Sequence, residues 1–281
     1  MYKSPRPVLL LSEESRMEGS VDATEVIVAA SPEEAIEAFG DGGDVTVVAG
    51  GTIVMPEIRH GRLRPRRALL IGRAGLTGVS HDDGRFVIGA GTSLADLEEA
   101  VEPLGTCARK VADLEIRGQA TLGGNLCAPP GDEAPRGDLQ ASLLVLDAQV
   151  RSTGAGGERT DPIDDFLASG PAGRLVLDVS VAEPEAAATA TVRRPHAHAY
   201  TVMRVCAARV GGAVRVAVSG AGPTAVRSAA VEQALADGAT AEAAAERVLE
   251  DVSPQDDALA SSWYRGQVLP VLVRRALNDL D

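Results

Sequence analysis

Hydrophobic and polar positions alternate along this chain in three different ways. Val26 to Ala30 (VIVAA) is a short apolar run that predicts a buried strand. Ser31-Pro32-Glu33-Glu34 then predicts a helix start, with serine as N-cap, proline in the first turn and acids against the positive helix end. AIEAF carries that helix to Gly40. Asp44 to Ala49 (DVTVVA) and Ala68 to Ile71 (ALLI) predict two more strands, the second after an arginine-rich connection from Arg59 to Arg67. The result is a small β-α-β-β lobe.

From Phe86 the pattern changes. FVIGAGTSLADLEEAV predicts a strand, a glycine turn with Thr92 or Ser93 as cap, and an amphipathic helix with Leu94 and Leu97 on one face. Leu143 to Val150 (LLVLDAQV) and Leu175 to Val181 (LVLDVSV) predict strands on either side of the polar turn STGAGGERTDP. Glu183 to Ala190, alanine-rich, acidic and without apolar period, predicts a linker. Beyond it, Tyr200 to Val210 and Ala213 to Ser219 flank Gly211-Gly212, a signal for a hairpin with a primed turn. Three helices are expected over Thr224–Ala236, Thr240–Glu250 and Asp256–Leu280, punctuated by Gly238 and Pro254. The expected fold is α+β in three units: lobes over residues 1–82 and 83–184, and a third domain over 190–281 with a small antiparallel sheet and three helices.

Composition narrows the function. With 281 residues, 45% hydrophobic and 24% charged, the chain has ample apolar material for packed cores. Its net charge of -13 argues against a nucleic-acid or membrane partner held by phosphate charge. Seven aromatics (Tyr2, Phe39, Phe86, Phe166, Tyr200, Trp263, Tyr264) leave the cores aliphatic. Only Lys3 and Lys110 are lysines, the other basic residues being arginine. Cys107, Cys127 and Cys206 lack CxxC spacing, so a disulfide framework or a self-contained zinc or iron-sulfur site is not indicated, and a reducing cytoplasm is expected. Cys206, between Val205 and Ala207, reads as an inert core residue. His60, His81, His196 and His198 form no HExxH motif and read as surface residues. The apolar run Val8 to Leu11 is too short for a signal-peptide core or a membrane span.

Two glycine-rich elements carry the candidate chemistry. Ala49-Gly50-Gly51-Thr52 follows the strand DVTVVA, and Thr121-Leu122-Gly123-Gly124-Asn125 comes some seventy residues later. Paired glycines let a ligand approach backbone, and successive free N–H groups make a concave anion site, to which the Thr52 and Thr121 hydroxyls add donors. Neither element matches a Walker loop or the Rossmann GxGxxG.

With its flanks, the second element reads Ile116-Arg117-Gly118-Gln119-Ala120-Thr121-Leu122-Gly123-Gly124-Asn125-Leu126. This closely resembles the signature of the flavin-binding subunit of the molybdenum hydroxylases, the family of xanthine and carbon monoxide dehydrogenases. VVAGGT, ALLIGRAGLTGV, VIGAGTSLADLE, LLVLDAQV and GGERTDPIDDFL extend the resemblance over residues 24 to 281. It implies a two-lobed FAD-binding fold of the PCMH/VAO type with a C-terminal domain closing over the cofactor. Ala49, Gly50, Gly51, Thr52 and Ile53 would form one pyrophosphate loop, and Thr121, Leu122, Gly123, Gly124 and Asn125 the other. Asp138 matches an acid that binds toward the adenosine ribose, with Asp132 as its rival, and Val111 and Val176 match apolar lining positions. Gly118 stands where the family has asparagine, and Arg193 or Arg194 where it has a lysine-arginine pair. The resemblance further implies a molybdopterin-binding large subunit and a small [2Fe-2S] subunit as partners, with electrons leaving FAD for NAD, a quinone or oxygen. A free-standing flavin oxidoreductase on the same fold, or a non-catalytic interaction subunit, stays open on the residues alone.

Overall fold

The computed structural model describes residues 24–128, 137–193 and 201–280; Asp132, Arg194, His196, His198, Tyr200 and the Val8–Leu11 run lie outside them. Three sheets build the molecule. In the first lobe, β1 (Glu25–Val28), α1 (Pro32–Phe39), β2 (Val45–Val48), α2 (Val54–Arg59) and β3 (Arg67–Leu70) make a parallel sheet of order β1-β3-β2. The Ser31 side chain accepts from the Glu34 N–H, and Gly40 ends α1 at φ 58°. The sequence pattern misses α2, because none of its six residues is buried and no side chain caps it, so it prints no apolar period.

The second sheet begins at Val79, ahead of residue 83. Its elements are β4 (Val79–Asp82), β5 (Arg85–Gly89), α3 (Leu104–Arg109), α4 (Leu114–Gln119), α5 (Leu122–Leu126), α6 (Gln140–Val145), β6 (Gln149–Gly154), β7 (Arg159–Pro162), α7 (Ile163–Ser169) and β8 (Arg174–Ala182). The five antiparallel strands run β4-β5-β8-β6-β7. Two expectations fail here. The amphipathic helix at Leu94 and Leu97 is only a 3₁₀ turn over Asp96–Glu99, with both leucines buried. LLVLDAQV is not one strand: its front half completes α6, and the chain turns at Asp147 (φ 55°) into β6. Leu143, Leu144, Val145 and Leu146 are all buried, and an apolar run hidden on every side has no period to tell helix from strand.

The third unit holds β9 (Ala186–Arg193), β10 (Thr201–Val210), β11 (Ala213–Ser219), β12 (Val226–Arg227), α8 (Ala229–Ala236), α9 (Ala241–Ala245) and α10 (Ser262–Asn278). The expected linker at Glu183–Ala190 is largely strand, since Ala186 to Arg193 pair with β10 in antiparallel register. Alanine favours strands poorly, so long-range pairing decides the conformation. Gly211 and Gly212 both take positive φ (58° and 77°), as a primed hairpin turn requires. The first and last helices start later than their composition suggests, at Ala229 and Ser262, and Val226 and Arg227 join the sheet instead.

β8 and β10 each serve two cores. Leu175 and Leu177 of β8 pack with Phe39 and Leu69 of the first lobe, while Val176, Val179 and Val181 pack with the second. On β10, Val205 and Ala207 face α10 and its neighbours, whereas Cys206 and Ala208 face the second lobe. Both strands therefore read as near-continuous apolar runs, the mark of strands covered on both faces. Among the described residues no helix is long and apolar enough to cross a membrane.

Candidate functional site: a cleft between the lobes

The ends of β2, β5 and β8, the two glycine elements and the start of β10 enclose a cleft of about 580 Å³, within the range of cofactor sites. Twelve of the residues expected to hold a cofactor line it: Ala49, Gly50, Gly51, Thr52, Ile53, Val111, Thr121, Gly123, Gly124, Asn125, Asp138 and Val176. Leu122 does not; its side chain is fully buried in the second lobe's core. Arg193 ends β9, exposed, and is not among the lining residues.

The two glycine elements differ in what they offer. In the first, Gly51 sits at φ 71° and Met55 N–H returns to the Gly51 carbonyl. Among the described residues the N–H groups of Gly50, Gly51, Thr52 and Ile53 have no hydrogen-bond partner, so four consecutive donors are free in a stretch that lines the cleft, as an anion nest requires. The second element corrects the expectation of two such nests, because its N–H groups are engaged. Leu122 donates to the Thr92 carbonyl (2.9 Å), Gly123 to the Ala90 carbonyl (2.8 Å), Gly124 to the Thr121 hydroxyl (3.1 Å) and Asn125 to the Thr121 carbonyl (2.9 Å). Thr121 thus caps the short helix α5. Side chains remain for a ligand: the Thr121 hydroxyl proton, and the Asn125 amide NH₂, whose oxygen is held by Leu139 N–H at 2.9 Å.

The glycines have different reasons to be glycine. A Cβ at Gly50 would fall on the Gln119 carbonyl, so this residue is where the two elements touch. A Cβ at Gly123 would lie 3.0 Å from the Ala90 Cβ, whereas one at Gly124 would meet only the Thr121 hydroxyl. Gly118 has open space where a Cβ would stand, so the absent asparagine leaves no hole. Arg117 works behind the wall: it pairs with Glu98 (2.7 Å) and donates to the carbonyls of Val111 (3.2 Å) and Ala112 (3.3 Å).

The cleft is chemically graded. Around Phe39, Val45, Val47 and Leu175 it is apolar; around Lys110, Asp138 and Thr201 it is polar. Asp138 is raised above the usual carboxylate range by burial, partly offset by Arg204, the Thr201 hydroxyl and Arg193. Arg204, fully buried on β10, donates to the Asp138 carbonyl at 2.8 Å and to the Thr201 hydroxyl at 3.3 Å, and stands 3.9 Å from the Asp138 carboxylate. The sequence reading missed Lys110, Arg204 and Arg174. Their signal was present only as basic residues next to buried runs, which surface arginines also show. Behind this end, Cys107 and Cys206 approach to 3.6 Å, bridging α3 and β10. Burial raises the Cys107 thiol, but the Cys206 hydrogen bond and the Arg204 charge outweigh it and set it at about 7. Cys127, on the cleft wall, is pushed up to about 12 by burial and stays a neutral thiol.

A cleft between two lobes that carries an anion nest, a group of apolar side chains from the first lobe and a group of polar ones around Asp138 fits an extended, pyrophosphate-bearing cofactor. The comparisons say which. Residues 21–183 match the FAD binding domain in molybdopterin dehydrogenase, and residues 187–280 the CO dehydrogenase flavoprotein C-terminal domain. The chain belongs to this family of FAD-binding subunits, and FAD is its cofactor. It is 29% identical to the 6-hydroxypseudooxynicotine dehydrogenase complex subunit alpha of Paenarthrobacter nicotinovorans over 276 residues, 89% of this chain and 92% of that one. Over 279 residues it is 28% identical to the xanthine dehydrogenase FAD-binding subunit of Escherichia coli O157:H7, covering 89% and 94% of the two chains. Among solved structures, it superimposes on a chain of the carbon monoxide dehydrogenase of Hydrogenophaga pseudoflava with a TM-score of 0.78, 25% identity, and 92% and 96% of the chains covered. The relatives are subunits of dehydrogenase complexes, and this chain is an oxidoreductase subunit of that kind.

Proposed function

We propose that the chain is the electron-transfer flavoprotein of a three-part molybdenum hydroxylase. FAD, when bound, would collect electrons singly and pass them on in pairs; the polypeptide would fix its position and potential. The observation that carries this reading is the open nest of Gly50, Gly51, Thr52 and Ile53 N–H groups inside the cleft. In a chain of net charge -13, a doubly anionic pyrophosphate needs local backbone donors of this kind. Thr121 and Asn125 would add side-chain donors from the facing lobe; Asp138, which the family resemblance places toward the adenosine ribose, would on this reading accept from the ribityl hydroxyls instead. Val111 and Val176 would flank the cofactor, and the Arg193 charge would stand behind Asp138.

The proposed partners are a molybdopterin-binding large subunit, where substrate is oxidised, and a small [2Fe-2S] subunit that relays electrons here. The proposed acceptor is NAD or a quinone, and the proposed compartment is the cytoplasm. Two experiments test this. Purified chain, or chain incubated with FAD, is expected to hold one flavin released on denaturation; no flavin in either case would end the reading. The intact complex, isolated with its neighbours, is expected to reduce NAD or a quinone analogue on substrate addition. Co-isolation of no iron-sulfur subunit would remove the electron-transfer role.

A further inference from the structure

Lys110 stands out in a charge inventory of the cleft. It lies at the end of α3, half-buried, on the wall of the polar end. Among the described residues its side-chain ammonium makes no hydrogen bond and no ion pair, in a chain where acids outnumber bases 40 to 27 and carboxylates are plentiful. Its charged and titratable neighbours are two cations, Arg204 and Arg193, and two thiols, Cys107 and Cys206, which pull the other way; Asp138 is the one carboxylate lining that end. Burial first, then Arg204, with Arg193 adding to it, holds its ammonium below the ordinary lysine range against the opposing pull of Cys107 and Cys206. A half-buried ammonium without an ion-pair partner is penalised by desolvation in the empty protein and becomes favourable when an anion arrives. Its position is also not left to chance, since Arg117 ties down the next two carbonyls, those of Val111 and Ala112.

The pyrophosphate does not account for this charge, since the nest of the first glycine element serves it. The cleft grading assigns the rest of the cofactor. The slot around Phe39, Val45, Val47 and Leu175 suits an adenine ring, and the polar end, where the C-terminal domain supplies Thr201, suits the heteroatom edge of the isoalloxazine. That ring is neutral when oxidised. On taking up two electrons and one proton it carries one negative charge, and the electrons would come from iron-sulfur donors one at a time. We infer that Lys110 faces the redox ring of bound FAD and raises its reduction potential by neutralising the charge that reduction creates. The inference rests on the FAD reading above, and Lys110 acts as a positioning and potential-setting residue.

The test uses the full chain loaded with FAD, with Lys110→Met and Lys110→Arg variants. Lys110→Met breaks no hydrogen bond and is expected to fold and keep stoichiometric FAD. Its two-electron midpoint potential is expected to fall by about 30 mV or more, the equivalent of a tenfold loss of preference for the reduced form. Sulfite, which adds to the oxidised ring to give an anionic adduct, is expected to bind at least tenfold more weakly. Lys110→Arg should restore both. Unchanged potential and sulfite affinity in a flavin-loaded Lys110→Met protein would overturn the inference. So would loss of FAD with unaltered sulfite affinity in the fraction that stays loaded, because Lys110 would then serve the phosphates. Failure of the unmodified chain to bind FAD would instead strike the reading beneath.

Discussion

At the scale of single residues, the cleft separates glycines that close it from glycines that open it. Gly50→Ala puts a methyl onto the Gln119 carbonyl, so the two glycine elements must part. The expected loss is about 1–3 kcal/mol or more of stability together with most bound flavin, read by thermal denaturation and FAD content. Gly118→Asn meets open space and is expected to leave both within about 0.5 kcal/mol of the parent. Asp138 carries a pH prediction. Burial raises its folded pKa above the unfolded value, so the protonated form is favoured in the fold. Its contribution is therefore fully present below the unfolded pKa, roughly 4, and is lost as pH rises through the folded value. Asp138→Asn is expected to stabilise the flavin-free chain at neutral pH relative to the parent, with the gap closing toward pH 4, while weakening FAD binding about tenfold. Thermal midpoints across that range check the first part and flavin titration the second. Which residues sit at the cleft was largely legible in the sequence, because glycine pairs and a threonine beside apolar runs leave a local trace. What each donates was not: the N–H groups of Leu122 and Gly123 are taken by Thr92 and Ala90, some thirty residues away. Lys110 and Arg204 were missed for a similar reason, as only the fold brings α3, β10 and Asp138 together.

At the scale of elements, α5 depends on its cap. Thr121→Val removes the hydroxyl that accepts from Gly124 N–H, at an expected cost of about 1 kcal/mol, whereas Thr121→Ser should keep most of it. Chemical denaturation measures the difference, and FAD affinity should follow the same order, since the same hydroxyl reaches the cleft. The elements legible from sequence were those with one wet face or a capped end. α1 announces itself by Ser31 and Pro32, and the β10–β11 hairpin by its two glycines. α6 hid because every residue from Gln140 to Val145 is buried, and β9 because four of its eight residues are alanine and its conformation is set by β10 across the sheet.

At the scale of the molecule, strands that work on both faces join the three units. β10 presents Cys206 and Ala208 to the second lobe, and Arg204 reaches the Asp138 carbonyl. Gln140 accepts from Ala225 N–H at 3.1 Å, and Arg215 pairs with Asp147 across the same boundary. Arg204→Met strips a fully buried cation from this junction and leaves Asp138 and Thr201 without it; about 3–5 kcal/mol of destabilisation is expected by calorimetry. Because the cleft takes residues from all three units, FAD is expected to raise the unfolding midpoint of the whole chain in one transition, through a stabilisation of about 2.7 kcal/mol at a hundredfold excess over its Kd.

Lysine scarcity also gives the chain a chemical address. Of its two lysines, Lys3 lies near the N-terminus and Lys110 on the cleft wall, where its amine is neutral more often than an ordinary lysine's. An amine-selective acylating reagent used at mildly alkaline pH thus has one reactive target in the cleft, and a mass shift on the peptide holding Lys110 becomes an occupancy gauge. Bound FAD should suppress that shift without affecting the peptide that holds Lys3.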